Sequence, residues 1–437
     1  MLSLVQSWFA PRANPIGVDF GSDCLRLAQV QYVGNEYRLI AAASADVPSH
    51  VRHSPVAKLA FFVETTRDLL AQGKFHSRQA ILALPASCMH IQHLRIAKMD
   101  EAETKKALPW EARGKLPIDP SQALIRHLIA GEVYQDAEPK NEVIVMAAAR
   151  EFINQLLASA AKAKLDVIGM NVEPKAVVDC FNHVYRRKTD ADVTNCFLDI
   201  GSCASRAVIA RGQQIFFARS IPIGGDHFSK AAALALRIGL EQAKLLRIQL
   251  CHTQPQTNER QDKVVVNASE PSLEQALPML GAALQACRQP AAAPAPAATT
   301  ATDDAPAAKP AVDELTQQAR VVDQACREPL NKLIEELDLC RRYYESTFPS
   351  RPLERLVFVG GEARQRGLCQ HIARELGLAA QVGDPLVRMG RTSDVGIESG
   401  IDRRQPQPGW AVAIGLSLGP LKAEQTASTT PAATARE

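Results

Sequence analysis

The chain has 437 residues, 46% of them hydrophobic and 22% charged, enough for two or three domains with real cores at about 150 residues each. Its 50 Lys and Arg against 47 Asp and Glu leave a formal net charge of +3, which excludes a general electrostatic case for nucleic-acid binding. No stretch approaches the roughly 18 uncharged apolar residues of a membrane span, and the opening MLSLVQSWFAPRANP lacks the basic start of a secretory signal, so an intracellular chain is expected. Ten Cys, none in a C-x-x-C pair, read as reduced structural thiols.

In chain order, short apolar strands are expected over 16–20, 24–30 and 37–43, then a helix over 56–72. Strands over 80–84 and 90–96 precede a helix over 100–115 with Asp100 as its N-cap. A strand over 143–148 and a helix over 151–163 follow. Strands over 195–201, 206–210 and 215–220 lead to a long helix over 226–250, and a strand over 356–359 to a helix over 367–376. Residues 289–312 are mostly Ala and Pro and read as a linker. The Ala/Thr-rich tail from 423 has no amphipathic face. The apolar residues of the stretch 2–9 are expected to pack on the first lobe.

One theme occurs twice. IGVDFGS at 16–22 and FLDIGS at 197–202 are each an apolar strand, D-x-G-S, then another strand. Two similar lobes facing across a cleft is the simple physical reading. In each turn the Gly (Gly21, Gly201) permits a tight reversal with backbone N–H groups facing outward, and Ser22 and Ser202 add hydroxyls. Such groups bind phosphate oxygens. Asp19 and Asp199, at the strand ends, could converge on a hydrated Mg²⁺. A single D-x-G is more simply a hairpin turn; two copies about 180 residues apart favour a site. Gly360 and Gly361, after the late strand, leave room for a flat base or ribose against the backbone. Glu241 and Lys244 lie on one helical face.

In order and spacing these elements resemble the actin-like ATPases, and within them the type IV pilus assembly protein PilM family. The matching stretches are IGVDFGSDCLRL (16–27), ALPAS (83–87) with WEARGKLPI (110–118), FLDIGS with SIPIGGD (220–226), LDLCRRYY (337–344), and VFVGGEA (357–363) with AVAIGLSL (411–418). The resemblance implies an α/β actin-like ATPase fold: two duplicated ribonuclease-H-like lobes around a nucleotide cleft, with a small α+β subdomain inserted in the first lobe. The implied division is 1–78 with 169–190 for the first lobe, 79–168 for the insert, 191–420 for the second lobe and 421–437 for a disordered tail.

The resemblance further implies ATP and Mg²⁺ as cofactors. Asp19 and Asp199 would hold the metal. Asp23, Cys24, Cys203, Gly224, Gly225, Asp226 and Glu362 join the turns, helix and Gly-Gly loop as nucleotide contacts. Glu173, in NVEPKA (171–176), would position an attacking water. This chain departs from the family pattern at Arg26, where Lys is usual, at Asp23, Cys24, Cys203 and Ala204 in the phosphate turns, and at Glu362.

The implied function is a cytoplasmic ATP-binding scaffold recruited to the inner face of the inner membrane, with at most slow ATPase activity. Its partner would be a PilN-like membrane protein, held by its N-terminal peptide in a groove near Leu84, Pro85, Arg113 and Pro117. Other pilus or secretion components and a second copy of the chain are further candidates. An actin-like ATPase or kinase enzyme and an FtsA-type polymer-forming protein are the alternatives. The 80–148 segment lacks a polar sugar pocket, and the tail lacks the amphipathic helix that FtsA needs.

Overall fold

The computed structural model describes residues 13–253 and 310–427, apart from 186, 188, 189, 191, 391, 393, 394 and 396–398. The expectations for 2–9, for 289–309 and for the tail beyond 427 lie outside the described residues.

The chain opens with β1 (Ile16–Phe20), β2 (Cys24–Val33) and β3 (Glu36–Asp46), then helices α1 (Ser49–Arg52) and α2 (Pro55–Gln72). Next come β4 (Gln79–Leu84), β5 (Met89–Ala97), α3 (Glu101–Glu111), β6 (Ala123–Gln135), β7 (Glu138–Ala149), α4 (Arg150–Lys162), β8 (Asp166–Val172) and α5 (Glu173–Asn182). The second half holds β9 (Thr194–Ile200), β10 (Ser205–Arg211), β11 (Gln214–Ile221), α6 (Gly225–Leu236), α7 (Leu240–Thr253) and α8 (Pro310–Thr347). It closes with β12 (Arg355–Val359), α9 (Arg366–Leu376), β13 (Ala379–Val382) and α10 (Ala411–Ala427).

Two five-stranded sheets repeat one plan. The orders are β3-β2-β1-β4-β8 and β11-β10-β9-β12-β13. In both, the first three strands form an antiparallel meander and the other two run parallel to its first strand. β1 is buried along its whole length and so is β9, as expected of central strands covered on both faces. A third sheet, β5-β7-β6, packs Leu94, Val143 and Val145 against Leu108 and Leu116, in and just beyond α3.

Strands β4 and β8 pair in the first sheet, and Leu156 and Ala160 of α4 lie in that sheet's core. The small sheet and its helix therefore occupy 89–149, inside the 79–168 expected. The last helix crosses back. A Cβ on Gly17 would sit 1.9 Å from Ala413 O, and one on Gly415 1.9 Å from Ala176 O, so both glycines let backbones touch. Ser417 Oγ donates to Pro15 O at 2.7 Å and accepts from Val30 N at 3.0 Å. Residues 411–418 thus belong to the first sheet's packing, although the expected division put them in the second lobe.

Four local expectations change, one of them near the C-terminal end, where residues 421–427, expected in the disordered tail, complete α10. The helix expected over 226–250 is two, because Arg237 turns left-handed (φ 55°) and ends α6, while Gln242 accepts from Gly239 N at the start of α7. The helix after Asp100 stops at Glu111, short of 115; Gly114 soon adopts φ 75°. Residues 310–312, read as the end of the linker, begin α8. Among the described residues no helix is long and apolar enough to cross a membrane.

The small sheet is fixed to the second half through a buried carboxylate. Glu142 of β7 accepts from His93 Nδ1 (2.9 Å), Arg95 Nε (3.0 Å) and Tyr343 Oη of α8 (2.5 Å). Burial alone would raise its pKa, but these bonds hold it below the usual carboxylate range. The His93 ring stacks on Phe217 of β11 with centroids 4.7 Å apart.

Candidate functional site

Between the two five-stranded sheets lies a cleft of about 1530 Å³. Of the residues singled out from the sequence, Asp19, Gly21, Ser22, Asp23, Glu173, Asp199, Gly201, Ser202, Cys203, Glu241, Lys244, Gly360, Gly361 and Glu362 all line it. The repeat delivers them: β1 and β9 end at its floor, and the D-x-G-S turns face each other across it.

The two turns are built alike. Gly21 N donates to Cys24 O and Gly201 N to Ala204 O, which closes each reversal and leaves the N–H groups of Ser22, Asp23, Ser202 and Cys203 without a backbone acceptor among the described residues. Ser202 Oγ is buried, lines the cleft and has no hydrogen-bond partner among the described residues. Such orphan donors suit an anion. Gly361 has open space where a Cβ would stand, whereas one on Gly360 (φ 88°) would meet Asp199 Oδ1 at 2.3 Å. The cradle fits a phosphate-bearing ligand with a flat group against Gly361.

Several expected contacts do other work. Gly225 N and Asp226 N donate to Gly201 O and Ser202 O. The start of α6 therefore braces the second turn, and its first amides are already engaged. A Cβ on Gly224 would lie 2.5 Å from Gly201 O. None of Gly224, Gly225 and Asp226 lines the cleft. Neither does Cys24, whose buried thiol bonds Leu25 O. Glu362 is held by Arg247 Nη2 at 2.7 Å and Gln365 Nε2 at 2.6 Å. Lys244 pairs across the cleft with Asp23 at 3.5 Å.

Among the groove candidates, Leu84 is buried against Ala148 and Ile153 and exposes little surface. Pro85 lines the main cleft. Arg113 and Pro117 are exposed on the small unit, where Arg113 stacks on the 70% exposed Trp110 with its guanidinium 4.9 Å from the ring.

Two arginines were missed as site residues, and the signal was present. The repeat is longer than D-x-G-S: it reads D-x-G-S-x-x-x-R in both halves. The ladders place Arg26 opposite Asp19 and Arg206 opposite Asp199 in the same register. Arg206 donates to Asp199 Oδ2 through Nε (3.1 Å) and Nη2 (2.7 Å). Its Nε also lies 2.9 Å from Glu173 Oε2. That oxygen gains an ion pair but no hydrogen bond, since the N–H is aimed at Asp199.

Burial, opposed by Arg26 and reinforced by Asp199, raises the Asp19 carboxyl to about 6. Burial, opposed by Arg206, raises Glu173 to about 7, with Asp19 and Asp199 adding to the rise. For Arg206, burial disfavours the charge, and the carboxylates of Asp199 and Glu173 outweigh it.

This geometry bears against Mg²⁺ at Asp199. Mg²⁺ takes carboxylate oxygens at about 2.0–2.1 Å in octahedral geometry and keeps several waters. Here a guanidinium donates to Asp199 through Nε and Nη2 and lies within ion-pair distance of Glu173. Among the described residues no group of three or more His, Cys, Asp or Glu is arranged to hold a metal ion. The residues fit a nucleotide better than they fit Mg²⁺.

The family model for the type IV pilus assembly protein PilM matches residues 17–258. The chain belongs to the PilM family. A second model, cell division protein FtsA, matches residues 196–415. Among solved structures, this PilM-family chain resembles one titled PilM-PilN type IV pilus biogenesis complex, with 20% identity and a TM-score of 0.66 over 93% of this chain and 98% of that one. It also resembles the ethanolamine utilization protein EutJ from Carboxydothermus hydrogenoformans (13%, TM-score 0.47, 94% and 90% of the two chains). MreB5 of Spiroplasma citri bound to ADP is similar too (11%, TM-score 0.43, 96% and 99%). No curated protein sequence matches. The likeness to the PilM-PilN structure shows that the chain shares its fold, and the two five-stranded sheets of one plan around a cleft are those of the actin-like fold.

Proposed function

We propose that the chain is a nucleotide-binding scaffold of type IV pilus assembly. It takes ATP in the cleft and docks the N-terminal peptide of a PilN-like inner-membrane protein on the small unit, at the cytoplasmic face of that membrane. The observation that carries the nucleotide half is the pair of facing turns, with free N–H groups, the unpartnered Ser202 hydroxyl and Arg26 above Asp19. Arg26 has no carboxylate partner within ion-pair distance among the described residues and replaces the usual Lys as a phosphate contact. Glu173, expected to position water, faces Arg206, which favours slow hydrolysis at most. The likeness to the PilM-PilN complex and the exposed Trp110, Arg113 and Pro117 support the partner half. The insert is best taken as 85–149.

Calorimetric titration of ATP tests the reading. Arg26→Ala should weaken binding at least about tenfold, since a charge-assisted phosphate contact contributes about 1.5–3 kcal/mol. The partner's N-terminal peptide should then bind with different affinity with and without ATP, the reciprocity that coupled sites require. A folded chain that binds no ATP would defeat the nucleotide half.

A further inference from the structure

The two copies of D-x-G-S-x-x-x-R share sequence and register but not use. In the first, Arg26 stands opposite Asp19 and acts on it through its charge without a hydrogen bond. In the second, Arg206 reaches back over Asp199 with two hydrogen bonds and on to Glu173 of the other half. Arg206 comes from the second sheet, Glu173 from the end of the first, so one guanidinium spans both halves at the floor of the cleft. Its side chain is 13% exposed. A guanidinium does not lose its proton in a protein, so the charge is permanent. Asp19, the third carboxylate, lies in the field of the same guanidinium.

We propose that Arg206 is a built-in counter-cation, filling the place between Asp199 and Glu173 and excluding a divalent ion from the cleft. A cation at Asp199 would have to displace two hydrogen bonds and sit against a fixed positive charge. The ligand class changes with it. A phosphate-bearing ligand enters as the free polyanion, met by Arg26, the turn amides and Ser202. This second statement rests on the nucleotide reading; the exclusion of the metal does not.

Mn²⁺ alone, titrated into the full chain and read by electron paramagnetic resonance, separates the two. Wild type should give the same isotherm as Asp199→Asn. Arg206→Ala should gain one Mn²⁺ site that the Arg206→Ala, Asp199→Asn double variant lacks, and Mn²⁺ should raise its melting temperature but not that of wild type. A wild-type site lost in Asp199→Asn overturns the proposal, and so does an Arg206→Ala chain that gains none. Arg206→Gln serves the same purpose if the alanine variant does not fold. A second arm needs no Arg206 variant: affinity for a fluorescent ATP analogue should change less than about twofold between excess Mg²⁺ and excess chelator, and a loss of about tenfold or more on chelation overturns the proposal. Absence of analogue binding in both conditions defeats the nucleotide reading and leaves the Mn²⁺ arm to decide.

Discussion

The two turns share one motif and one register but hold different electrostatic roles. In the first, Asp19 is buried with its carboxyl raised to about 6, and Arg26 faces the cleft. In the second, Asp199 is spoken for by Arg206, and the start of α6 braces the turn from behind through Gly225 N and Asp226 N. The first turn is tied instead to the sheet edge, by Val47 N donating to Asp23 O at 2.8 Å. A shared fold thus fixes where a side chain starts, while its neighbours decide what it binds. Glu173 makes the difference: it gives Arg206 a second carboxylate to reach for.

The largest way to break this asymmetry is to delete each arginine. Arg206→Ala strands two buried carboxylates and should cost about 3 kcal/mol or more, the usual penalty for removing one partner of a buried pair. Arg26→Ala should cost about 1 kcal/mol, mostly lost stem packing. Chemical denaturation of both variants checks the ranking, and equal losses would refute the difference between the turns.

A smaller effect concerns pH. Glu173 faces Arg206, Asp19, Asp199 and the Ala86 N–H. Its folded pKa of about 7 lies above the ordinary 4.5, so the folded state binds this proton more tightly. The stability it lends is fully present below about pH 4.5 and is lost as pH rises through 7. Denaturation midpoints at pH 5 and pH 8 should therefore fall less in Glu173→Gln than in wild type. Parallel slopes would show that Glu173 is not the group responsible. The smallest effect is at the rim. Lys244→Ala removes a partly exposed pair with Asp23 and should cost about 0.5 kcal/mol, diminishing with salt.

Much of this was legible because it is local. An apolar run ending in D-x-G-S names its own strand and turn, and 16–20 was read to the residue. Asp100 was identified as an N-cap from type and position, and it caps with Glu103 in a reciprocal box. What stayed hidden depends on partners remote in sequence. The longer repeat marks Arg206, but nothing local in the sequence shows that it reaches Glu173. Arg247, buried between Gly225 O, Ser229 and Glu362, looks like any helical arginine. Helix α8 was obscured by Pro329 within it and the Ala/Pro run before it, although Leu330, Leu333, Leu337, Cys340 and Tyr344 form a buried stripe at helical spacing. Strand β8 alternates too weakly to announce itself.

The Glu142 bond network has a mechanical meaning. The small unit leaves the first sheet after β4 and returns to it at α4, yet its buried anchor is on α8 and β11 of the opposite half. A body tethered at both ends to one half and bolted to the other cannot stay still while the halves rotate. Glu142 is then a fulcrum and the three-stranded sheet a lever arm. Any change of angle between the halves would load this joint and carry with it the exposed Trp110 of the same small unit.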